Sequence, residues 1–127
     1  GTVERGEYDR WMCILMHLEY AAFNNLHNLP VDTPECRRQI GYGDSDTAWN
    51  TLREHLKNRV DIVGNSFTAM DLYCSALILH VTQNWKVLPA DETDVLQHYA
   101  AKHLARPAFA ETTAWMLETA AQMPPVA

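Results

Sequence analysis

A hydroxyl and a carboxylate lie three residues apart in the segment VGNSFTAMDLY, where Thr68 and Asp71 precede a long apolar run. A carboxylate that is held beside a hydroxyl and shielded from water could act as a general base. The same spacing also fits a helix start, because an N-cap threonine and an acidic residue at N3 can each accept a hydrogen bond from the other's backbone N–H. The segment therefore raises one catalytic and one structural hypothesis.

The structural hypothesis explains more of the sequence around this pair. With Thr68 as N-cap, Asp71 falls at N3 and completes a capping box, with Asp in place of the usual Glu or Gln. Phe67 at N′ and Leu72 at N4 then have the spacing of a hydrophobic staple, and an anion in the first turn complements the helix dipole. No nucleophile close by in the sequence completes a catalytic set. We therefore predict a helix clasp at these four positions and no catalytic residue.

Histidine spacing gives little support to a metal site. His98 and His103 are five residues apart, which differs from the i, i+4 spacing that places two ligands on one helical face. His17 and His27 are ten residues apart on one predicted helix, too far to share an ion. The sequence contains neither an HExxH motif nor a CxxC pair. We therefore predict no metal site.

The composition is that of a folded, acidic chain. Its 127 residues are 47% hydrophobic and carry a net charge of −6, which suits one ordinary domain spanning residues 1–127. An acidic surface repels phosphate backbones, so we expect no nucleic-acid partner. No run reaches the roughly 18 apolar residues of a membrane span. An odd number of cysteines without CxxC spacing favours free thiols in a reduced cytoplasmic setting; they are Cys13, Cys36 and Cys74.

Helical periodicity runs through the whole chain, and no segment has the pattern of a strand. Helices are predicted over about 7–29, from 46 to a stop at Gly64, over 69–85, from a cap at Asp91 or Thr93, and from Pro107 onward. Residues 30–46, with two prolines and two glycines, are predicted to be a loop. The third helix is apolar almost all round, which is typical of a central helix. The predicted fold is all-α, an orthogonal or up-down bundle of about five helices around a buried central one.

The first and last predicted helices carry notable apolar residues. One stripe of the first helix consists of Tyr8, Trp11, Met12, Leu15, Leu18, Ala22 and Leu26, and a second consists of Cys13, Met16, Tyr20, Phe23 and His27. Together they exceed the usual core-facing arc of about 100°. The second stripe either packs within the bundle or faces a partner or ligand cleft, and both alternatives stay open. Phe109, Trp115 and Met116 are predicted to anchor the last helix.

Four stretches agree in order and spacing with one known family. They are RGEYDRWMCILMHLEYAAF, GYGDSDTAWNTLREHL, GNSFTAMDLYCSALILHVTQNW and QHYAAKHLARPAF. They resemble the first helix, the entry to the next helix, the capped sixth helix and the Arg-Pro-Ala stretch of the C-terminal helical domain of bacterial cytosolic glutathione S-transferases. The residue before the aspartate is usually small in that family, and here it is Met70.

The resemblance implies that two domains share the function. In that family, a thioredoxin-like N-terminal domain binds glutathione and supplies the activating Tyr, Ser or Cys, and nothing in this sequence resembles it. We therefore expect this chain to bind no cofactor and to have no catalytic activity alone, with glutathione as co-substrate of the full-length protein. The implied partners are a thioredoxin-like domain, a hydrophobic electrophilic small molecule and a second copy of the chain.

The resemblance also implies a substrate-binding region midway along the first helix. His17 and Tyr20 are the positional matches, and the second apolar stripe adds Cys13 and Met16. Tyr20 is the strongest candidate, since its ring can contact a substrate while its hydroxyl donates a hydrogen bond. His17 fits a solvated polar strip equally well. The alternative functions are a non-catalytic interaction or scaffold module and, more weakly, a small helical protein that binds apolar ligands.

Overall fold

The computed structural model of the chain describes residues 1–31 and 33–122, and these contain helices and connections but no strand. The helices are α1 (Val3–Leu26), α2 (Pro34–Gln39), α3 (Ser45–Leu56), α4 (Ala69–Leu79), α5 (Val95–Leu104) and α6 (Pro107–Gln122). A π-helical turn, His80–Asn84, continues α4. The prediction of an all-α fold is confirmed. Among the described residues, none of the helices has both the length and the apolarity needed to cross a bilayer.

Short polar side chains fix the starts of five helices. In each case a Thr or Asp at the N-cap accepts a hydrogen bond from a backbone N–H of the first turn, at Thr2, Thr33, Asp44, Thr68 and Asp94. The sequence prediction placed the cap of α5 at Asp91 or Thr93, which is wrong by one to three residues. Asp91 instead accepts hydrogen bonds from Thr93 within the preceding turn, while Asp94 accepts the Leu96 N–H at 3.0 Å.

The core lies among α1, α3, α4 and α5. Helices α1 and α5 each pack against both α3 and α4. The largest apolar side chains with almost no exposed surface are Trp11, Leu15, Leu18, Trp49, Leu52, Ile62, Met70, Ile78 and Leu96. Burying one such side chain contributes about 1.5–3 kcal/mol relative to leaving it exposed. This apolar core therefore holds the relative positions of the elements on which any site is built.

Two predicted boundaries are wrong, one at the 30–46 segment and one at the end of the second predicted helix. Residues 30–46 are not all loop, since Thr33 caps α2 and its proline fits the first turn. The predicted second helix, α3, ends at Leu56, and the connection over 57–68 covers the core with Ile62 while Val60 stays 62% exposed. Gly64 has a left-handed φ of +60°, but it lies in this connection and not at a helix end. Apolar spacing on a continuous helix therefore predicts neither the backbone of this connection nor the exposure of Val60.

Helix α6 differs from the other long helices because none of its side chains is buried. The prediction that Phe109, Trp115 and Met116 anchor it is wrong: Trp115 is 64% exposed, Met116 58%, and Phe109 only partly buried. Leu117 beside them is 69% exposed. An apolar face in a sequence predicts that a helix can be covered, but it does not say whether anything in the same chain covers it.

Candidate functional site

The most polar point of the interior is the carboxylate of Asp71, which has no exposed surface. Its Oδ1 accepts the Ile62 N–H at 2.7 Å and the Tyr99 hydroxyl at 2.5 Å. Its Oδ2 accepts the N–H and the hydroxyl of Thr68 at 2.7 and 3.0 Å. A buried charge is costly unless it is paired and hydrogen-bonded. Four donors meet that requirement, so this carboxylate joins α4, α5 and the 57–68 connection.

The entry to α4 contains both hydrogen bonds of a capping box between Thr68 and Asp71. The hydroxyl of Thr68 also accepts the Met70 N–H at 3.2 Å. Phe67 and Leu72, the predicted staple pair, are partly exposed at 38% and 42% and line one groove on the outside of the helix. The polar half of the clasp is therefore interior, and the apolar half lies at the surface.

Asp61, Asp71 and His103 form a buried cluster whose potential ligand atoms all lie within 4.8 Å of one another. His103 Nε2 lies 3.0 Å from the Val60 carbonyl oxygen and 3.8 Å from each carboxylate. A carbonyl can only accept, so Nε2 carries a proton and donates it, whereas a metal ligand must be deprotonated. Both oxygens of Asp71 already accept hydrogen bonds. The chemistry of these donors fits a hydrogen-bond network better than a metal centre.

Two further groups beside Asp71 stay protonated. Burial raises the pKa of the Tyr99 hydroxyl, and so does its hydrogen bond to Asp71. Burial also raises the pKa of the Cys74 thiol, with the charge of Asp71 acting in the same direction. Since the thiolate is the nucleophile of a cysteine, Cys74 is inert in this setting. The interior network around Asp71 thus contains a donor and a neutral thiol but no activated nucleophile.

The second apolar stripe of α1 faces outward. Met16 is 47% exposed, Tyr20 62% and Phe23 44%. The core-facing stripe of the same helix includes Trp11 and Leu15, with 1% and 0% exposed. In the described structure, then, the second stripe does not pack within the bundle but leaves a broad apolar surface open.

We call the depression on this surface the aromatic groove. It is lined by Met16, Glu19, Tyr20, Phe23 and Trp85, and its volume is about 220 Å³. The rings of Phe23 and Trp85 meet edge to face, with centroids 6.4 Å apart. Four lining residues come from successive turns of one face of α1, and the fifth follows the π-helical turn. The groove is therefore built by α1 and the end of the α4 segment.

One wall of the aromatic groove is acidic. Glu19 accepts a hydrogen bond from the Tyr73 hydroxyl at 2.6 Å through Oε2. Burial raises the pKa of Tyr73, and the hydrogen bond to Glu19 raises it further. Tyr73 therefore acts as a neutral donor that fixes the position of the carboxylate at the edge of the groove.

The four substrate-binding residues predicted from the sequence lie in different places. Met16 and Tyr20 line the aromatic groove. His17 lines a separate depression with Gly41, and a Cβ built on that glycine would come within 2.6 Å of His17 Nε2. Cys13 is exposed but is not among the residues lining either depression. The structure thus brings together two of the four.

Sequence reasoning did not assign three lining residues of the aromatic groove to the site. Phe23 follows Tyr20 by three positions on the same stripe, so helical spacing could have found it. Glu19 carries no such signal, because acidic residues on a helix surface are usually solvated. Trp85 is distant in sequence, and it reaches the groove only through the packing of α4 beside α1.

No protein-family model, curated protein or solved structure matches this chain. Two features remain on which a function can be argued. One is the aromatic groove on α1, and the other is the capped start of α4 within an all-helical fold.

Proposed function

We propose that this chain is the helical C-terminal domain of a glutathione S-transferase-like protein and that its aromatic groove binds the apolar part of an electrophilic substrate. The observation that carries the proposal is the exposed apolar face of α1, where Met16, Tyr20 and Phe23 are each 44–62% exposed. Contiguous exposed apolar surface of this kind marks ligand or partner sites in soluble proteins. The groove also combines an apolar lining with few polar groups, as small-molecule sites do.

The positions of the four family-like stretches support the same proposal. They fall on α1, on the entry to α3, on the capped α4 with its π-helical turn, and on α5 with the start of α6. The capping box at the start of α4 is the feature of the third stretch that the resemblance depends on. The resemblance is thus spread over helices that pack on one another, and not over one isolated motif.

The proposed division of chemistry follows from which molecule supplies the nucleophile. In glutathione conjugation, the glutathione sulfur forms a bond to the electrophilic atom while the leaving group departs with its electron pair. The activated thiolate in that step is that of glutathione, and the resemblance assigns its activation to the thioredoxin-like domain. This chain would therefore bind and orient the electrophile, with Tyr20 as a hydrogen-bond donor at the groove. A thioredoxin-like domain would bind glutathione.

The test is a titration of the isotope-labelled chain with an aryl electrophile such as chlorodinitrobenzene, followed by amide and indole NMR shifts. We expect shifts to concentrate at Tyr20, Phe23 and Trp85, and to disappear in the Tyr20→Ser/Phe23→Ser variant. The matched control is Met116→Ser/Leu117→Ser, which removes two equally exposed apolar side chains from α6. Shifts confined to α6, or equal loss in both variants, would contradict the proposal.

A second candidate function is a non-catalytic interaction module, and the exposed apolar residues of α6 favour it. Trp115, Met116 and Leu117 are adjacent and each is at least 58% exposed. The occupant to test first is a second copy of the chain. Sedimentation velocity should then show a dimer that Trp115→Ser/Leu117→Ser converts to monomer, and a monomer at all concentrations would remove this candidate.

A further inference from the structure

The composition of the aromatic groove is unusual for a purely apolar site. Its lining combines three aromatic rings, one thioether and one carboxylate, and none of the described residues that line it is a Lys or Arg. The face of an aromatic ring carries negative electrostatic potential and attracts a cation placed over it. A carboxylate adds a full negative charge at the same place. The groove therefore offers two kinds of attraction to positive charge and no lining cation that opposes it.

The ring geometry suits a compact cation. Phe23 and Trp85 have centroids 6.4 Å apart and planes inclined at 66°, and a cation over an exposed face of either ring, within about 6 Å of its centroid, is attracted by that ring. His27 lies against Phe23 and His80 against Trp85, at centroid distances of 4.3 and 4.6 Å. These contacts support the two rings while leaving them among the groove-lining residues.

Glu19 is held in position to contribute to such a site. Only its Oε2 accepts a hydrogen bond from the described residues, from the Tyr73 hydroxyl at 2.6 Å. No described residue donates a hydrogen bond to Oε1, and Glu19 is exposed. Lys86 follows Trp85 in the chain but is not among the lining residues. The acidic edge of the groove is therefore fixed in place and not neutralised by a lining cation.

The acidic lining of the aromatic groove is not shared by every depression on the described surface, although the net charge is −6. A second groove, between the end of α3 and α5, is lined by Leu56, Lys57, Arg59, Val60, Val95, His98, Tyr99 and Lys102. Lys57 pairs with Glu54 and Arg59 with Glu7 outside the lining, while Lys102 lines it as well, so the charges that line this groove are opposite in sign to that of Glu19. The molecule thus has depressions of contrasting charge, and the second groove serves as an internal reference for the first.

We infer that the aromatic groove selects ligands whose apolar body carries a positive charge, such as aryl or alkyl ammonium compounds. The charge lies against Tyr20, Phe23 and Trp85, with Glu19 supplying the counter-charge. This inference rests on the proposed function, which makes the groove a ligand site, and adds the class of ligand. Attraction to rings and carboxylate together distinguishes such a ligand from a neutral one of the same shape.

The test compares phenyltrimethylammonium with its neutral isostere tert-butylbenzene, each titrated into the intact chain and followed by NMR shifts of Tyr20 and the Trp85 indole. We expect the cation to bind about tenfold more tightly, since about 1.4 kcal/mol of added attraction corresponds to that ratio. Glu19→Gln should reduce cation affinity several-fold and leave the neutral isostere unchanged. Glu118→Gln, an exposed carboxylate on α6, is the matched control and should change neither.

The outcomes separate the two proposals. Equal binding of cation and isostere, or an unchanged ratio in Glu19→Gln, would overturn charge selection while leaving the groove as a ligand site. Shifts at the α3–α5 groove with none at Tyr20 and Trp85, for both compounds, would overturn the groove assignment itself. Loss of only the cation preference in Glu19→Gln supports the inference.

Discussion

Asp71 is a charged side chain with no exposed surface, whereas Tyr20 is a large aromatic side chain with 62% of its surface exposed. A fully buried Asp is rare unless it is paired, whereas Tyr is of intermediate burial. Around Asp71, four donors occupy both carboxylate oxygens, so little capacity remains for a ligand. Around Tyr20, the described residues leave much of the surface of Tyr20, Phe23 and Glu19 open to solvent or to a ligand. The difference indicates that the site with the most reactive-looking residues is structural, and our proposal places ligand binding at the exposed rings.

The largest effect on stability should come from removing the buried carboxylate of Asp71. Asp71→Ala would leave the Ile62 and Thr68 N–H groups and the Tyr99 hydroxyl without their acceptor. We expect the free energy of unfolding to fall by about 4 kcal/mol, since each unsatisfied buried donor costs about 1–3 kcal/mol. Urea unfolding measures this free energy. Asp71→Asn, which keeps the shape of the side chain, is the control and should lower the free energy of unfolding by less. A loss below about 1 kcal/mol would show that Asp71 is not a structural centre.

A smaller loss should follow from removing one donor to the same carboxylate. Tyr99→Phe deletes the hydroxyl that lies 2.5 Å from Asp71 Oδ1 and keeps the ring in the core. We expect a loss of about 1.5–3 kcal/mol, the usual value for a hydrogen bond to a charged group. A double-mutant cycle with Asp71→Asn should give a clear coupling energy. Strict additivity in the cycle would mean that the two side chains do not act together.

The half-buried His55 should also resist a new positive charge, in contrast to the aromatic groove. Burial lowers the pKa of His55 below its ordinary value of 6.5; its ring lies 4.0 Å from that of Trp11, and Nε2 donates to the Ile62 carbonyl. The unfolded chain therefore binds this proton at a higher pH than the folded chain does, so stability falls as pH drops below 6.5 and the loss levels off beneath the folded pKa.

Urea midpoints measured at several pH values between about 5 and 7.5 test this. His55→Gln should show a shallower decline than the wild type across that range, because the replacement cannot titrate. An equal slope in both proteins would assign the pH dependence to other groups.

The smallest effect on stability should come from removing the exposed ring of Tyr20. Tyr20→Ser removes a ring that is 62% exposed, so we expect a change in unfolding free energy within about 0.5 kcal/mol. Leu117→Ser on α6, which is 69% exposed, is the matched control. A loss above about 1 kcal/mol for Tyr20→Ser alone would mean that the outer face of α1 supports the fold, and the contrast with Asp71 would fail.

Features set by neighbours in sequence were predictable. The pairing of Thr68 with Asp71 spans three residues, and the structure contains both of its hydrogen bonds. The two other donors to Asp71 were not predicted, because Ile62 and Tyr99 are 9 and 28 residues away in the chain. Local spacing can specify a cap, but only the packing of α5 beside α4 decides what else that cap contacts.

The same distinction explains the candidate site. The surplus apolar stripe of α1 was evident from spacing, and Met16 and Tyr20 do lie together in the groove. His17 is only one residue from Met16, yet about 100° of rotation per residue places it over another depression. Trp115 shows the limit of periodicity, since its helix has an apolar face but no buried residue.

The π-helical turn His80–Asn84 has a consequence for how the aromatic groove can vary. Trp85 N–H bonds to the His80 carbonyl five residues earlier, at 2.9 Å, so this turn holds one residue more than the regular ladder. Deleting a single residue there would restore ordinary pitch and let the Trp85 N–H bond to the same His80 carbonyl with i→i−4 spacing, so Trp85 would stay on the same side of the helix. The wide turn therefore accommodates one extra residue without moving Trp85 out of line with α4, and a change of one codon in chain length there can leave the aromatic groove intact.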